Sequence, residues 1–317
     1  MEERAPPTLV DRYGFVRDTP PNEDLLKENA RREKWRVMLS AWETFRKRKK
    51  RKLKSRIRKG IPDGVRAQVW YAVSNAAELK ARYPSELYSA MAQRDDTCPN
   101  QDIIEVDLNR TFPRNQMFMQ QSGRNTLQRV LRAYSFFDTE VGYCQGMGFI
   151  AGVLLIYLEE EKAFWVFVSL LRFYNLKPQF IPGMPDLHRQ LFVANKLLKK
   201  FMPKTSACLE SVKMDLSFVA TQWFLTLYSS SLPFETVVRI WDCYLYEGPK
   251  IKYRVFLALF KIMKTKLKKL DFEKIAELVK ETVASVTPDR LMAVAFEFRL
   301  SKKLISKFST QFDTTDS

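Results

Sequence analysis

The side chains best placed to do chemistry in this 317-residue chain lie in two short segments. The first is Ile104-Glu-Val-Asp107-Leu-Asn-Arg110-Thr-Phe-Pro113. Ile104, Asp107 and Arg110 are spaced three apart, so on a helix they follow one slowly drifting stripe. Asp107 could then hold the Arg110 guanidinium from the turn below. Phe112 precedes a proline and is pushed out of helical geometry. Arg110 therefore falls near a helix end, from which a cation can project into a cleft. The same spacing suits a plainer role, in which an arginine in a last turn complements the helix dipole and pairs with an aspartate.

The second segment is Gly142-Tyr143-Cys144-Gln145-Gly146-Met147-Gly148, between two apolar stretches. Its three glycines permit tight turning and close backbone approach. If its first part is extended, Tyr143 and Gln145 point the same way. Gln145 then lies at or near a helix start, where free N–H groups favour anions. Its amide can accept from a water and donate to an anionic oxygen at once, which is what positioning a water requires. The alternative is a helix-start glutamine between packing glycines.

Other chemistries lack their residues. The chain has no GxxxxGK[ST] loop to cradle a nucleoside triphosphate and no GxGxxG fingerprint. With one histidine, His188, every Ser-His or Cys-His arrangement would have to use it, and nothing beside it resembles a nucleophile turn. Cys98, Cys144, Cys208 and Cys243 are dispersed, with no CxxC pair and no Cys/His zinc set. They read as reduced thiols of a cytosolic protein. Glu159-Glu160-Glu161 sits at a helix start, where it complements the dipole without catalytic duty. The longest nearly apolar stretch, Gly146 to Leu158, is too short to cross a bilayer, and no signal peptide opens the chain.

The elements that must position the two segments are helical. Glycine is scarce, long side chains are abundant, and no run alternates with period two. A helix starts near Leu25, capped by Asn22 or Asp24, and presents Trp35, Met38, Leu39, Trp42 and Phe45 as one stripe. After Gly60-Ile61-Pro62-Asp63-Gly64 a helix restarts near Asp63. Further helices are expected over about 84–93, 102–110, 124–137, 145–158, 160–173, 187–202, 216–228, 233–246, 252–269, 271–281, 287–295 and 299–308. Residues 1–21, with four prolines, read as a loose arm. The Pro/Gly-rich stretch Lys177 to Pro185 divides two helical halves of similar size, so two packed lobes in one all-α domain are expected.

The net charge of +17 is unevenly spread. Arg46 to Lys59 holds eleven basic residues and no acidic one. A second cluster comprises Lys261, Lys264, Lys266, Lys268 and Lys269. Such charge attracts phosphates of an anionic membrane, a nucleic acid or a nucleotide-bearing partner, or simply solvates a helix face. The first run lacks interleaved aromatics and any nucleic-acid-binding motif, so no nucleic acid is expected and an anionic membrane surface is the favoured target.

Taken in order, IxxDxxR (Ile104, Asp107, Arg110) and YxQ (Tyr143, Gln145) resemble the signature pair of the TBC-domain Rab GTPase activators. The resemblance continues in Arg58-Lys-Gly-Ile-Pro-Asp-Gly-Val-Arg66-Ala-Gln-Val-Trp70, similar to the family's opening block. Ala133 to Met147 is similar to its RN-tre branch, and Arg239-Ile-Trp-Asp242 with Glu247-Gly248 to a later block. It covers about residues 56–308, and an ordered series of blocks is more specific than either short motif. The resemblance implies an all-α TBC domain over residues 56–310, with lobes at about 56–176 and 186–310. An arm with the basic run (1–55) precedes it and a short tail (311–317) follows. It also implies a GTP-bound Rab as partner, with Arg110 as an arginine finger and Gln145 as a glutamine finger inserted in trans. Asp107 and Tyr143 would support them. GTP and Mg²⁺ would be carried by the Rab, leaving the activator no cofactor, metal or independent active site of its own. Its implied place is the cytoplasm, peripheral on endomembranes. The alternatives are a catalytically inactive Rab-binding scaffold, against which intact Arg110 and Gln145 argue, and a helical protein that binds membrane or nucleic acid through its basic run.

Overall fold

The computed structural model describes residues 9–18, 25–268 and 270–315. The expected caps Asn22 and Asp24, and Lys269 of the second basic cluster, lie outside them. Most described residues are helical, as the composition implied, and the only strands among them are two of two residues each, β1 (Leu9–Val10) and β2 (Val16–Arg17).

Three helices lead in, α1 (Leu25–Ser40), α2 (Trp42–Lys47) and α3 (Lys50–Arg58). The first lobe holds α4 (Asp63–Val73), α5 (Ala76–Lys80), α6 (Leu87–Ala92), α7 (Gln101–Arg110), α8 (Gln116–Met119), α9 (Gln121–Phe137), α10 (Met147–Tyr157) and α11 (Glu160–Phe173). A 3-10 turn, Lys177–Gln179, leads into the second. That lobe holds α12 (Pro185–Phe201), α13 (Pro203–Ser211), α14 (Ser217–Leu225), α15 (Phe234–Glu247), α16 (Lys250–Met263), α17 (Phe272–Ser285), α18 (Pro288–Glu297) and α19 (Lys302–Thr315). The stretch from Lys177 to Pro185 thus falls between α11 and α12. The short α13 was not expected, because Pro203 reads as a breaker. It instead occupies the first helical turn, where its missing N–H is harmless.

Some helices bury one face and others are buried all round. In α9, Leu127, Val130, Leu131 and Tyr134 recur at three and four and are buried. In α11, Phe164 to Leu171 are buried all round, as expected of a central helix. The Asp271 carboxylate caps α17 by accepting from Lys274 N at 2.9 Å.

The basic run is part of this packing. In α3, Leu53 and Ile57 lie four apart and are buried against α15, while Arg46 to Lys52 remain exposed except where α2 turns inward at Phe45. On its inner side Arg58 chelates the Glu247 carboxylate at 2.5 and 2.8 Å, with Lys54 at 3.1 Å. Burial raises the Glu247 carboxyl, but the hydrogen bonds and charge of Arg58 and Lys54 outweigh it and hold the group down at about 2.

The lobes are latched by Asp242 of α15. Its carboxylate accepts from Ile61 N at 2.9 Å, Arg66 Nε at 3.1 Å and Trp70 Nε1 at 2.8 Å, all from the α3–α4 segment. Arg66 also donates to Tyr157 Oη at 2.8 Å on α10. Burial disfavours the Arg66 charge, yet Asp242 outweighs it and keeps the guanidinium protonated.

The arm is not loose where it is described. β1 and β2 pair antiparallel with Leu9 opposite Arg17, and Tyr13 between them is buried against Phe234. Polarity and prolines suggested a solvated segment. The docking depends on aromatic partners distant in sequence, which no local pattern announces. All four cysteines are unpaired. No helix among the described residues is long and apolar enough to cross a membrane.

Candidate functional site

The end of α7 and the start of α10 meet, and the two chemistry-bearing segments are their adjoining termini. On α7, Ile104 and Asp107 are buried, whereas Ile103, Val106 and Arg110 are exposed. The helix stops at Arg110 because Thr111 turns extended and Phe112 takes a left-handed φ of 47°. Such a φ is strained for a bulky residue and persists only where surroundings impose it. Phe112 is held by the rings of Phe15, Phe149 and Phe234, with centroids at 5.6, 5.4 and 5.7 Å.

Arg110 opens into a cleft of about 630 Å³. Its lining includes Phe15–Asp18 of the hairpin, Phe149, and Ser229, Ser230 and Leu232 to Phe234. No hydrogen bond or ion pair ties the guanidinium to another described residue. The expected pairing with Asp107 is not made: spacing of three brings the two residues to adjacent turns, but burial turns the carboxylate inward and exposure leaves the arginine out.

Asp107 serves the second segment instead. Its Oδ2 accepts from Tyr143 Oη at 2.6 Å and from Gly146 N at 3.0 Å. Tyr143 Oη in turn accepts from Gly148 N at 3.2 Å, and Tyr143 N donates to Asn100 Oδ1 at 3.1 Å. Burial, reinforced by the hydrogen bond to Asp107, pushes the Tyr143 phenol well above its ordinary value. It therefore stays a neutral donor and not a base. Gln145, between these anchored residues, is exposed. Tyr143 is thus buried and Gln145 exposed, unlike the shared face expected of an extended segment, and Gln145 lies in a turn ahead of α10 with Gly146 at φ 98°. The helix itself begins at Met147, two residues beyond the expected start.

Glycine makes this convergence possible. A Cβ on Gly148 would lie 2.8 Å from Thr111 Oγ1 and 3.2 Å from Tyr143 Oη, and one on Gly152 would lie 3.0 Å from Phe112 and Thr111. The pair, one helical turn apart, seats the Asp107–Phe112 end of α7 directly on the backbone of α10. Asn100 and Thr111 were not singled out from the sequence. Their role is visible only through contacts between segments, Asn100 bridging to Tyr143 and Thr111 filling the space the glycines leave.

The arrangement couples an exposed cation and an exposed primary amide through one buried carboxylate. Arg110 lies one turn beyond Asp107, and Gln145 is flanked by the two residues that Asp107 holds. Among the described residues no group of three or more His, Cys, Asp or Glu is placed to hold a metal ion. His188 is exposed on α12 in the second lobe.

The profile of the Rab-GTPase-TBC domain matches residues 63–268. The chain is 32% identical over 285 residues to the human (Homo sapiens) Ecotropic viral integration site 5 protein homolog, covering 88% of this chain and 35% of that protein. It is 36% identical over 250 residues to TBC1 domain family member whacked of Drosophila melanogaster, covering 78% of this chain and 68% of that protein. This chain thus spans about a third of the first relative's length. Among solved structures, the Chlamydomonas flagellar RabGAP TBC domain superposes with a TM-score of 0.75 at 32% identity, covering 92% of this chain and all of that one.

Proposed function

The chain belongs to the Rab-GTPase-TBC domain family, and from that premise we propose that it accelerates GTP hydrolysis on a Rab-family small GTPase, working in trans on the GTP-bound form. The observation that carries this reading is the division of labour around Asp107. The carboxylate is spent on Tyr143 and Gly146, which leaves Arg110 uncommitted and exposed at an open cleft, while Gln145 is exposed in the turn between those two partners.

The chemistry follows from what the two groups can do. In phosphoryl transfer, negative charge spreads over the transferring group's oxygens while a water must be aligned for attack. The Arg110 guanidinium, planar and always charged, can donate to two of those oxygens. The Gln145 amide can accept from the attacking water and donate to a phosphoryl oxygen. GTP and its Mg²⁺ come with the Rab, so this chain supplies side chains and no cofactor. Asp107 and Tyr143 act by fixing the turn that presents Gln145 relative to the end of α7.

The exposed outer face of the Arg46–Lys59 run is proposed as an accessory contact to anionic endomembrane, in keeping with a cytoplasmic, peripheral protein. A panel of GTP-loaded Rabs assayed for phosphate release tests the main reading. Stimulation of at least one Rab supports it, and no stimulation of any Rab at micromolar protein sinks it.

A further inference from the structure

The hairpin at residues 9–18 lies outside the span matched to the family, which begins at residue 63, yet it is built onto the segment that carries Arg110. It is self-organised. Asp11 Oδ1 accepts from Tyr13 N at 3.0 Å and Phe15 N at 2.9 Å, its Oδ2 accepts from Arg17 Nε at 2.7 Å, and Gly14 turns the chain with φ 85°. The formed hairpin then makes three hydrogen bonds to the stretch just after Arg110. Val16 N donates to Arg114 O at 2.9 Å, Gln116 N donates to Gly14 O at 2.8 Å, and Asn115 Nδ2 donates to Tyr13 O at 2.8 Å. Asp18 adds an exposed ion pair to Arg114 at 2.9 Å. Phe15 lies edge-on to Phe112 and packs on Phe234 at 4.8 Å.

These contacts bear on residues 112–116, where the backbone is least able to hold itself. Phe112 is in the left-handed region, and Phe112 to Asn115 lie between helices. Conformations of that kind cost of order 1–3 kcal/mol and need an external hold. Here the hold from one side is α10, through Gly148 and Gly152. From the other side it is the hairpin.

We propose that the hairpin is a positioning element for Arg110, with Phe15 and the Gly14–Asn115 contact as its working parts. It would fix the exit of the chain after Arg110, and so the direction from which the guanidinium enters the partner's nucleotide site. This rests on the Rab-activating reading above. Phe15 lines the same cleft as Arg110; an effect exerted through the placement of Arg110 belongs to the chemical step, whereas a direct contact with the partner would show in affinity. A small displacement of a charge-stabilising group is enough to cost one to two orders of magnitude in rate.

The test uses the full chain with Phe15→Ala, Phe15→Tyr and Gly14→Ala. Gly14→Ala strains a positive φ and brings a Cβ to 3.3 Å from Asn115 Nδ2. Two readouts are taken, single-turnover phosphate release from a responsive Rab and amide hydrogen exchange at Gln116 and Val16. The expected result is faster exchange at those two amides in Phe15→Ala and Gly14→Ala, with α11 and α16 still protected. Alongside it, kcat should fall by about tenfold or more with KM within about twofold. Phe15→Tyr, which keeps the ring, should restore the rate. If exchange at Gln116 rises while kcat stays at the wild-type value, or if KM alone changes, the hairpin does not position Arg110. If Gln116 exchange is unchanged in both disruptive variants, the hairpin does not hold the segment and the proposal falls. A wild-type chain that stimulates no Rab is a separate outcome, which overturns the activating function itself.

Discussion

Tyr143 donates one hydrogen bond, to Asp107, and accepts one, from Gly148, both buried. Its ring is as important as its oxygen, since it fills the space between the two segments. Tyr143→Phe keeps the ring and removes the oxygen, leaving a buried carboxylate oxygen with one partner fewer and the Gly148 amide without its acceptor. The expected cost is about 1–3 kcal/mol of unfolding free energy, measured by chemical denaturation. A cost near zero would mean that water replaces the phenol and that the Asp107 hub is looser than its distances imply. At this scale the sequence was legible in kind but not in direction. Arg110 and Gln145 stand out through the resemblance of IxxDxxR and YxQ to the TBC family, while their spacing alone suited plain structural roles as well. The spacing of Asp107 and Arg110, however, suggested a pair that does not form. Helical periodicity states which residues share a stripe, but it cannot state that a tyrosine 36 residues on competes for the carboxylate.

α3 shows how far an element can be read from its own composition. Its charge marked it as a surface helix, and Arg46 to Lys52 are indeed exposed. The four-residue spacing of Leu53 and Ile57, and the Arg58–Glu247 chelate, tie its other side to α15. The two faces can therefore be separated by substitution. Replacing Arg48, Lys50 and Arg51 with glutamine alters exposed side chains and spares Lys49 and Lys52, which lie over the Phe45 ring. Binding to vesicles containing phosphatidylserine should weaken, since each basic residue near an anionic surface contributes about 1 kcal/mol. Phosphate release from soluble Rab should stay within about twofold of wild type. Co-sedimentation and the soluble assay, run side by side, check this. Equal loss in both would place the run in the partner interface instead. The arm failed to be legible for the opposite reason. β1 and β2 have almost no propensity signal of their own, and their order comes from aromatic contacts to Phe112 and Phe234, residues roughly 100 and 220 positions away.

Over the whole molecule, the blocks that stand out in sequence prove to be mostly structural. Arg66 and Trp70 of one block meet Asp242 of another across the lobes, so their pattern reflects the latch and not the chemistry. The residues that join α4 to α15 were not readable from the sequence, because pairs some 170 positions apart leave no local trace. The second lobe carries a further buried charge. Lys252 of α16 is 2% exposed, donates to Gln179 Oε1 at 3.3 Å and also to Gln190, and lies over the Phe224 ring. Burial brings its ammonium down from 10.5 to about 7, against the opposing pull of Asp186. The unfolded chain therefore binds more protons at this residue between pH 7 and 10.5, and its contribution to stability rises with pH across that window and falls away as pH drops through 7. Lys252→Met should remove this rise. Unfolding free energies measured from pH 6.5 to 9.5 should show wild type gaining on the variant as pH increases; parallel curves would mean that Lys252 is solvated.

The central claim is that Arg110 and Gln145 both act in the chemical step on a partner's GTP. The most direct measurement is single-turnover phosphate release from a responsive Rab with wild type, Arg110→Ala, Arg110→Lys and Gln145→Ala. A second set uses the Rab whose own water-positioning glutamine is replaced by alanine. Removing Arg110 should cost roughly a thousandfold, with Lys a poor substitute for lack of a planar fork. Gln145→Ala should cost roughly a hundredfold in rate with little change in Rab affinity. Wild type should still stimulate the glutamine-less Rab, because it brings its own. Full activity of Gln145→Ala, together with no stimulation of the glutamine-less Rab, would contradict the account.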